Sequence, residues 1–195
     1  MRKAQKSNAI LMKNEIRRIN KIKRAKMSQD EVITKSNACS AVLLSSDLYK
    51  KADSIMLYIP LGNETDTSQI IQSVFADRKE CIFPVTDCES GIITPCRADR
   101  NTEFVKGAFS VFEPSKLCPV KPEDIDLIIV PGIAFDYKGV RVGFGKGCYD
   151  RLFKQTRAVR VGYCYDFQLC ECIEGEEHDI SMDFLITESG LITCE

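Results

Sequence analysis

The segment Arg141-Val142-Gly143-Phe144-Gly145-Lys146-Gly147-Cys148-Tyr149-Asp150 concentrates residue types that hold phosphate. Gly143, Gly145 and Gly147 leave backbone N–H groups open to close approach by phosphate oxygens. Arg141 and Lys146 add positive charge, and Asp150 offers a hard oxygen ligand of the kind Mg2+ takes. A helix is expected to begin near Tyr149, and its N-terminus would favour an anion. The spacing is not G-x-x-x-x-G-K-[ST], so this is no P-loop. On chemistry alone, a tight turn with a solvated lysine accounts for the same residues.

Three smaller groups accompany it. Lys13 and Arg17 are four residues apart, which puts both cations on one helix face, where they could clamp a polyphosphate. A solvated basic face is the alternative. Glu64 follows a short apolar run and could accept hydrogen bonds from a ring N–H; a turn acid beside a helix cap would look the same. Asp179, in His178-Asp179-Ile180-Ser181-Met182-Asp183, could be a second oxygen ligand for Mg2+. The lone His178 reads as a surface residue. No Ser–His–Asp or Cys–His spacing is present, which argues against covalent acyl catalysis.

The elements that must position these groups follow from periodicity. Residues 6–26 read as a helix with a broken apolar stripe of Ile10, Met12, Ile16, Ile19 and Ile22. Ser28-Gln29-Asp30-Glu31 is a capping box that starts a second helix, expected to run to about Lys51. Ser54 to Pro60 reads as a strand. Asp66 or Thr67 can cap a third helix carrying Ile70, Ile71, Val74 and Phe75. Further strands are expected at 81–84, 92–94, 126–131, 158–163 and 184–187, with 126–131 the clearest buried one. Strands alternating with helices predict an α/β fold. The expected form is a single Rossmann-like three-layer domain over residues 1–195, with a largely parallel central sheet flanked by helices and two N-terminal helices.

Composition narrows the classes. A chain of 195 residues, 44% hydrophobic and 28% charged, is ordinary for a globular protein and too apolar for a disordered one. No apolar run reaches the ~18 residues of a membrane span, and the basic start is not followed by a long apolar core, so no secretory signal is expected. The ten cysteines include no C-x-x-C pair. They read as reduced, packed thiols in a cytoplasmic protein. Residues 1–26 carry ten Lys or Arg against one Glu, a net +9; the whole chain carries −1, so the remainder carries −10. That asymmetry suggests an anionic partner for the first helix.

Taken in order, these segments resemble the 5-formyltetrahydrofolate cyclo-ligase (5,10-methenyltetrahydrofolate synthetase) family over nearly the whole chain. The parts are Lys13-x-x-x-Arg17, the Asn63-Glu64-x-Asp66-Thr67 turn, Phe112-Glu113-Pro114, Pro131-Gly132-x-Ala134-Phe135-Asp136, the 141–150 loop and Asp179. The resemblance implies ATP- and Mg2+-dependent cyclisation of a folate, with or without a polyglutamate tail, by a monomer that needs neither nucleic acid nor membrane. It implies that Lys13 and Arg17 meet the ATP phosphates and that residues 141–149 form a loop shared by ATP and substrate. Phe144, Gly145, Lys146, Gly147 and Cys148 would also face the folate, and Lys146 and Arg141 would be catalytic. Ile59 and Glu64 would bind the folate, Glu64 at its pterin, and Asp150 and Asp179 would attend Mg2+. Phe144 and Cys148 depart from the family pattern, which often has Arg or Tyr and Tyr there, and Ser110 stands where glycine is frequent. Two rival readings remain at this level: a paralogue phosphorylating another small molecule, and a nucleic-acid-binding module using the basic helix. The second lacks aromatic side chains among the cations, and the acidic remainder would repel a phosphate backbone.

Overall fold

The computed structural model describes the backbone of residues 2–195 and side chains from Met12 onward. The expected contribution of Ile10 lies outside those side chains. Three helices come first: α1 (Arg2–Ala25), α2 (Gln29–Ser45) and α3 (Asp47–Lys51). β1 (Ser54–Met56), α4 (Ser68–Ala76), β2 (Glu80–Thr86) and β3 (Ile93–Ala98) follow. A hairpin of β4 (Phe104–Lys106) and β5 (Phe112–Pro114) precedes β6 (Leu127–Pro131), β7 (Ala134–Asp136) and β8 (Arg141–Val142). The chain ends with α5 (Cys148–Phe153), β9 (Val159–Tyr163), β10 (Leu169–Cys170), β11 (Phe184–Thr187) and β12 (Gly190–Thr193).

The main sheet has seven strands in the order β12-β11-β9-β6-β1-β2-β3. Its five inner strands are parallel, and β3 and β12 pair antiparallel at the edges. Alternate residues serve opposite layers. Ile55, Leu127, Ile129 and Val161 pack with Cys39 and Leu43 of α2 and Ile70 of α4. Met56, Ile128, Val130 and Leu185 pack with Leu152 and Phe153 of α5. This is the expected three-layer α/β arrangement with a mostly parallel sheet, and the all-apolar run of β6 reflects burial on both faces. No helix among the described residues is long and apolar enough to cross a membrane.

Three local expectations change, and a fourth, the cap of α4, narrows to one of its two alternatives. The second helix stops at Ser45 instead of reaching Lys51, because Ser46 turns to an extended backbone and caps a new helix. Its Oγ donates to Leu43 O (2.6 Å) and accepts from Tyr49 N (3.3 Å). The first strand is laddered only to Met56; beyond it the chain leaves the sheet to form a cavity wall. For α4, Asp66 is the side chain that caps, accepting from Ser68 N (2.9 Å), while Thr67 is turned inward and donates to Tyr58 O (2.7 Å). The apolar stripe of α1 does not face the core. Met12, Ile19 and Ile22 are exposed, and Ile16 alone of the described stripe residues packs on an apolar cluster, that of the small sheet β10-β7-β8.

The reason lies on the other face of α1. Lys13, Arg17, Asn20 and Arg24 recur at spacings of four, three and four, so they form one polar seam. Asn20 Nδ2 donates to Ile133 O (3.0 Å), and Arg17 Nε donates to Gly143 O (2.8 Å). Helix α1 therefore lies over the carboxyl ends of the strands and is held there by polar contacts.

Candidate active site

The sheet order reverses between β1 and β6. From β1 the chain first winds toward β2 and later returns to place β6 on the other side. In open α/β sheets, ligands bind in the crevice at such a switch point. Here the crevice is a cavity of about 700 Å³. Tyr58 and Ile59 after β1, Pro84 and Thr86 of β2, Pro131 at the end of β6 and Gly132 after it wall it. Helix α1, the 143–150 loop and the 176–179 segment cover it. The residues expected above to meet ATP, folate or Mg2+ all line this cavity except Val142. Val142 is fully buried among Ala134 and Ile173 in the small sheet, and its carbonyl accepts from Ile133 N (2.7 Å).

The cationic flank is built from three segments. Lys13 is buried, and its Nζ donates to Asp179 Oδ2 (2.6 Å) with Glu176 Oε2 at 3.5 Å. Arg141 lies between Pro131 O, Asp150 Oδ2 at 3.4 Å and the ring of Tyr149, 5.2 Å below its guanidinium. Its Nε is buried without a hydrogen-bond partner among the described residues. Lys146 is exposed at the tip of the loop, and its carbonyl is held by Arg151 Nη2 (2.8 Å). Gly145 and Gly147 adopt positive φ of 92° and 64°, conformations that open the loop's amides and that a side chain would strain. Helix α5 starts at Cys148, one residue before the expectation, and has only six residues. Its dipole is correspondingly small, so the amides and cations carry the positive potential here.

The acidic groups divide by environment. Burial opposes ionisation of Asp179, but hydrogen bonds from Lys13 and from Glu176 N outweigh it and hold the carboxyl below its usual range. Asp150 Oδ1 accepts from Ile180 N (3.3 Å), which brings Asp150 next to the Asp179 segment. Glu176, His178 and Asp179 could together hold a metal ion. His178 is exposed, as its sequence context implied. Glu64 lies on the opposite flank and is buried. Burial pushes its carboxyl up, and Arg24, 3.3 Å away, opposes that shift. Tyr58 and Tyr149 are also pushed up by burial, so both are neutral hydroxyls at ordinary pH.

Phe144 and Cys148, the two departures within the loop, sit differently. Phe144 is exposed at the mouth with Lys21 Nζ 5.1 Å above its ring, whereas Cys148 is half-buried with its Sγ 3.9 Å from Arg151 Nη2. Ser110 has φ 65° and follows Phe109 at 54°, on the segment that closes the cavity mouth. A left-handed backbone there is one that glycine would adopt without strain. Sequence reasoning missed Arg24 and Glu176. Arg24 shares the helical period of Lys13 and Arg17, a usable signal. Glu176 lies on an irregular segment where spacing carries none.

Fold and site together define an α/β enzyme of the ligand-at-switch-point type, with a cationic flank and a buried carboxylate on one cavity. Residues 9–188 match the family model of the 5-formyltetrahydrofolate cyclo-ligase family, and the chain belongs to that family. It is similar to 5-formyltetrahydrofolate cyclo-ligase of Mus musculus, 25% identical over 84% of this chain and 87% of the relative. The Haemophilus influenzae enzyme of the same name is 30% identical over 70% of this chain and 77% of its own. The solved structure of Aquifex aeolicus 5,10-methenyltetrahydrofolate synthetase superposes with a TM-score of 0.83 at 36% identity, covering 93% of this chain and 92% of that one.

Proposed function

We propose that the chain binds ATP and 5-formyltetrahydrofolate side by side in this cavity and closes the folate to 5,10-methenyltetrahydrofolate, releasing ADP and phosphate. One observation carries the reading: a single cavity at the switch point has cations on one flank and a buried carboxylate with an apolar wall on the other. Lys13, Arg17, Arg141 and Lys146 suit a triphosphate. The unpartnered Nε of Arg141 adds weight, since a buried donor left unsatisfied costs about 1–3 kcal/mol and a phosphate oxygen would satisfy it. Ile59 and Glu64 suit a pterin, with Glu64 accepting from its ring N–H groups.

In the proposed reaction the formyl oxygen attacks the γ-phosphorus and the bond to the ADP oxygen breaks. N10 then attacks the activated formyl carbon and loses its proton, and the carbon–oxygen bond breaks to release phosphate. What the protein must do is align two ligands and neutralise charge on the transferring group. Lys146 and Arg141 do the second, aided by the amides of Gly143, Gly145 and Gly147. Phe144 and Cys148 line the loop's folate side. No general base of strong character is needed, which agrees with an exposed His178.

The residues fit Mg2+: Asp150 and Asp179 offer hard carboxylate oxygens on adjoining segments beside the cationic loop. Bound there, the ion would supply Lewis-acid neutralisation of phosphate charge. The same reading makes residues 1–195 one domain acting as a monomer in the cytoplasm, with no nucleic-acid or membrane partner and a folate with or without a polyglutamate tail. Purified protein with ATP, Mg2+ and 5-formyltetrahydrofolate should show growth of methenyl absorbance. ATP turnover that is indifferent to the folate, with no such absorbance, would favour phosphorylation of another small molecule and sink the proposal.

A further inference from the structure

Arg24 stands apart from the rest of the site. It is on the same seam of α1 as Lys13 and Arg17, yet it does not line the cavity. Its side chain is 12% exposed and its Nη1 lies 3.3 Å from Glu64 Oε1. The other carboxylate oxygen of Glu64, Oε2, accepts from Leu61 N (3.0 Å). Asn63, next to Glu64, donates through Nδ2 to the carbonyls of Arg24 (3.0 Å) and Met27 (3.1 Å). The end of α1 and the 61–64 turn are therefore stapled twice, once by charge and once by an amide. No sequence motif of the site includes Arg24.

We propose that Arg24 is a positioning residue for folate binding: it holds the Glu64 carboxylate charged and fixed in the cavity wall, and so sets the pH range over which that carboxylate can accept hydrogen bonds from the pterin. This rests on the reading that Glu64 faces the folate. The argument is electrostatic. A carboxyl group this buried favours its neutral form, and neutral Glu64 would present a donor where the pterin also presents donors. The groups facing Glu64 are Arg24 from α1, Tyr58 from the wall after β1 and Tyr149 from α5, while the hydroxyl of Tyr165 meets its backbone carbonyl. Both tyrosines that face the carboxylate are neutral, so Arg24 is its cationic partner among the described residues. Burial raises the Glu64 pKa and Arg24 pulls it down. Removing Arg24 therefore moves the ionisation upward, and folate affinity becomes weak at neutral pH and recovers as pH rises.

The test is the dissociation constant of 5-formyltetrahydrofolate from pH 5.5 to 8.5, by calorimetry, for wild type, Arg24→Lys, Arg24→Met, Glu64→Gln and the double variant Arg24→Met/Glu64→Gln. The wild type should be nearly flat above neutral pH. Arg24→Met should bind about tenfold more weakly at pH 7, the scale of one charge-assisted hydrogen bond, and regain affinity toward pH 8.5. Arg24→Lys should restore the flat profile. An Arg24→Met profile parallel to wild type overturns the proposal. Full affinity in Glu64→Gln instead overturns the underlying assignment of Glu64 to the folate, a separate failure. Should Arg24→Met not fold, the double variant decides, because it strands no buried charge. It should match Glu64→Gln in affinity at every pH, and a difference beyond about threefold shows Arg24 acting by another route.

Discussion

At the scale of single residues, exposure separates groups free to act on a ligand from groups that hold the site together. Lys146 is exposed, with its backbone carbonyl fixed by Arg151 and its amine free of hydrogen bonds among the described residues. Lys146→Ala should therefore leave the melting temperature within about 2 °C, since an exposed substitution rarely shifts stability by more than about 0.5 kcal/mol. Turnover should fall on the order of a hundredfold or more, the usual cost of losing one group that stabilises transition-state charge. Full retained activity would remove Lys146 from the mechanism. Asp150 is a different case, because it already holds Arg141 and Ile180 N. Asp150→Asn keeps one of the two acceptor oxygens, and so one of those contacts, and loses the charge. Its expected signature is a higher Mg2+ concentration for half-maximal rate. An unchanged Mg2+ titration would confine Asp150 to organising the loop.

At the scale of elements, α1 shows what a sequence can and cannot display. The capping box at Ser28, the buried run of β6 and the glycine loop were all legible, because each is a local rule that the fold obeys. The orientation of α1 was not. Its isoleucines invite an apolar face, but α1 covers a cleft, so its inward face is polar and Ile19 and Ile22 are left in water. The short strands β4, β5, β7, β8 and β10 were likewise missed, since two or three residues give no period to read. The seam makes its own prediction. Asn20 is buried and donates to Ile133 O, an acceptor it shares with Gln168 Nε2. Asn20→Ala leaves that carbonyl satisfied and deletes one α1 anchor. The expected loss is about 1 kcal/mol in urea denaturation. It should come with a raised KM for ATP, because Lys13 and Arg17 ride on the same helix. Unchanged stability and KM would mean that Lys13, Arg17, Arg24 and the Asn63 contacts dock the helix without Asn20.

At the scale of the whole molecule, the ten cysteines bear on how the layers respond to pH. All ten are free thiols, and Cys39, Cys81, Cys96 and Cys164 are buried in the sheet and helix layers. Burial pushes Cys39 and Cys81 from 9.0 up to about 12. Burial also pushes Cys194 up to about 11, and Cys164 well above its ordinary value. A thiol whose folded pKa is raised keeps its proton longer in the native state than in the unfolded chain. Its contribution is therefore intact below about pH 9 and is lost as pH climbs toward the folded value. From an ordinary value near 9.0, each such thiol should cost about 1 kcal/mol between pH 9 and 10 and about 1.4 kcal/mol per pH unit beyond, so Cys39 and Cys81 together cost about 2 kcal/mol between pH 9 and 10. Urea midpoints at pH 8, 9 and 10 measure this directly. The double variant Cys39→Ala/Cys81→Ala should be less stable at pH 8, through the cavities it opens, yet show a shallower decline above pH 9. A decline as steep as that of the wild type would place the alkaline sensitivity in the remaining thiols that burial raises, Cys96, Cys164 and Cys194.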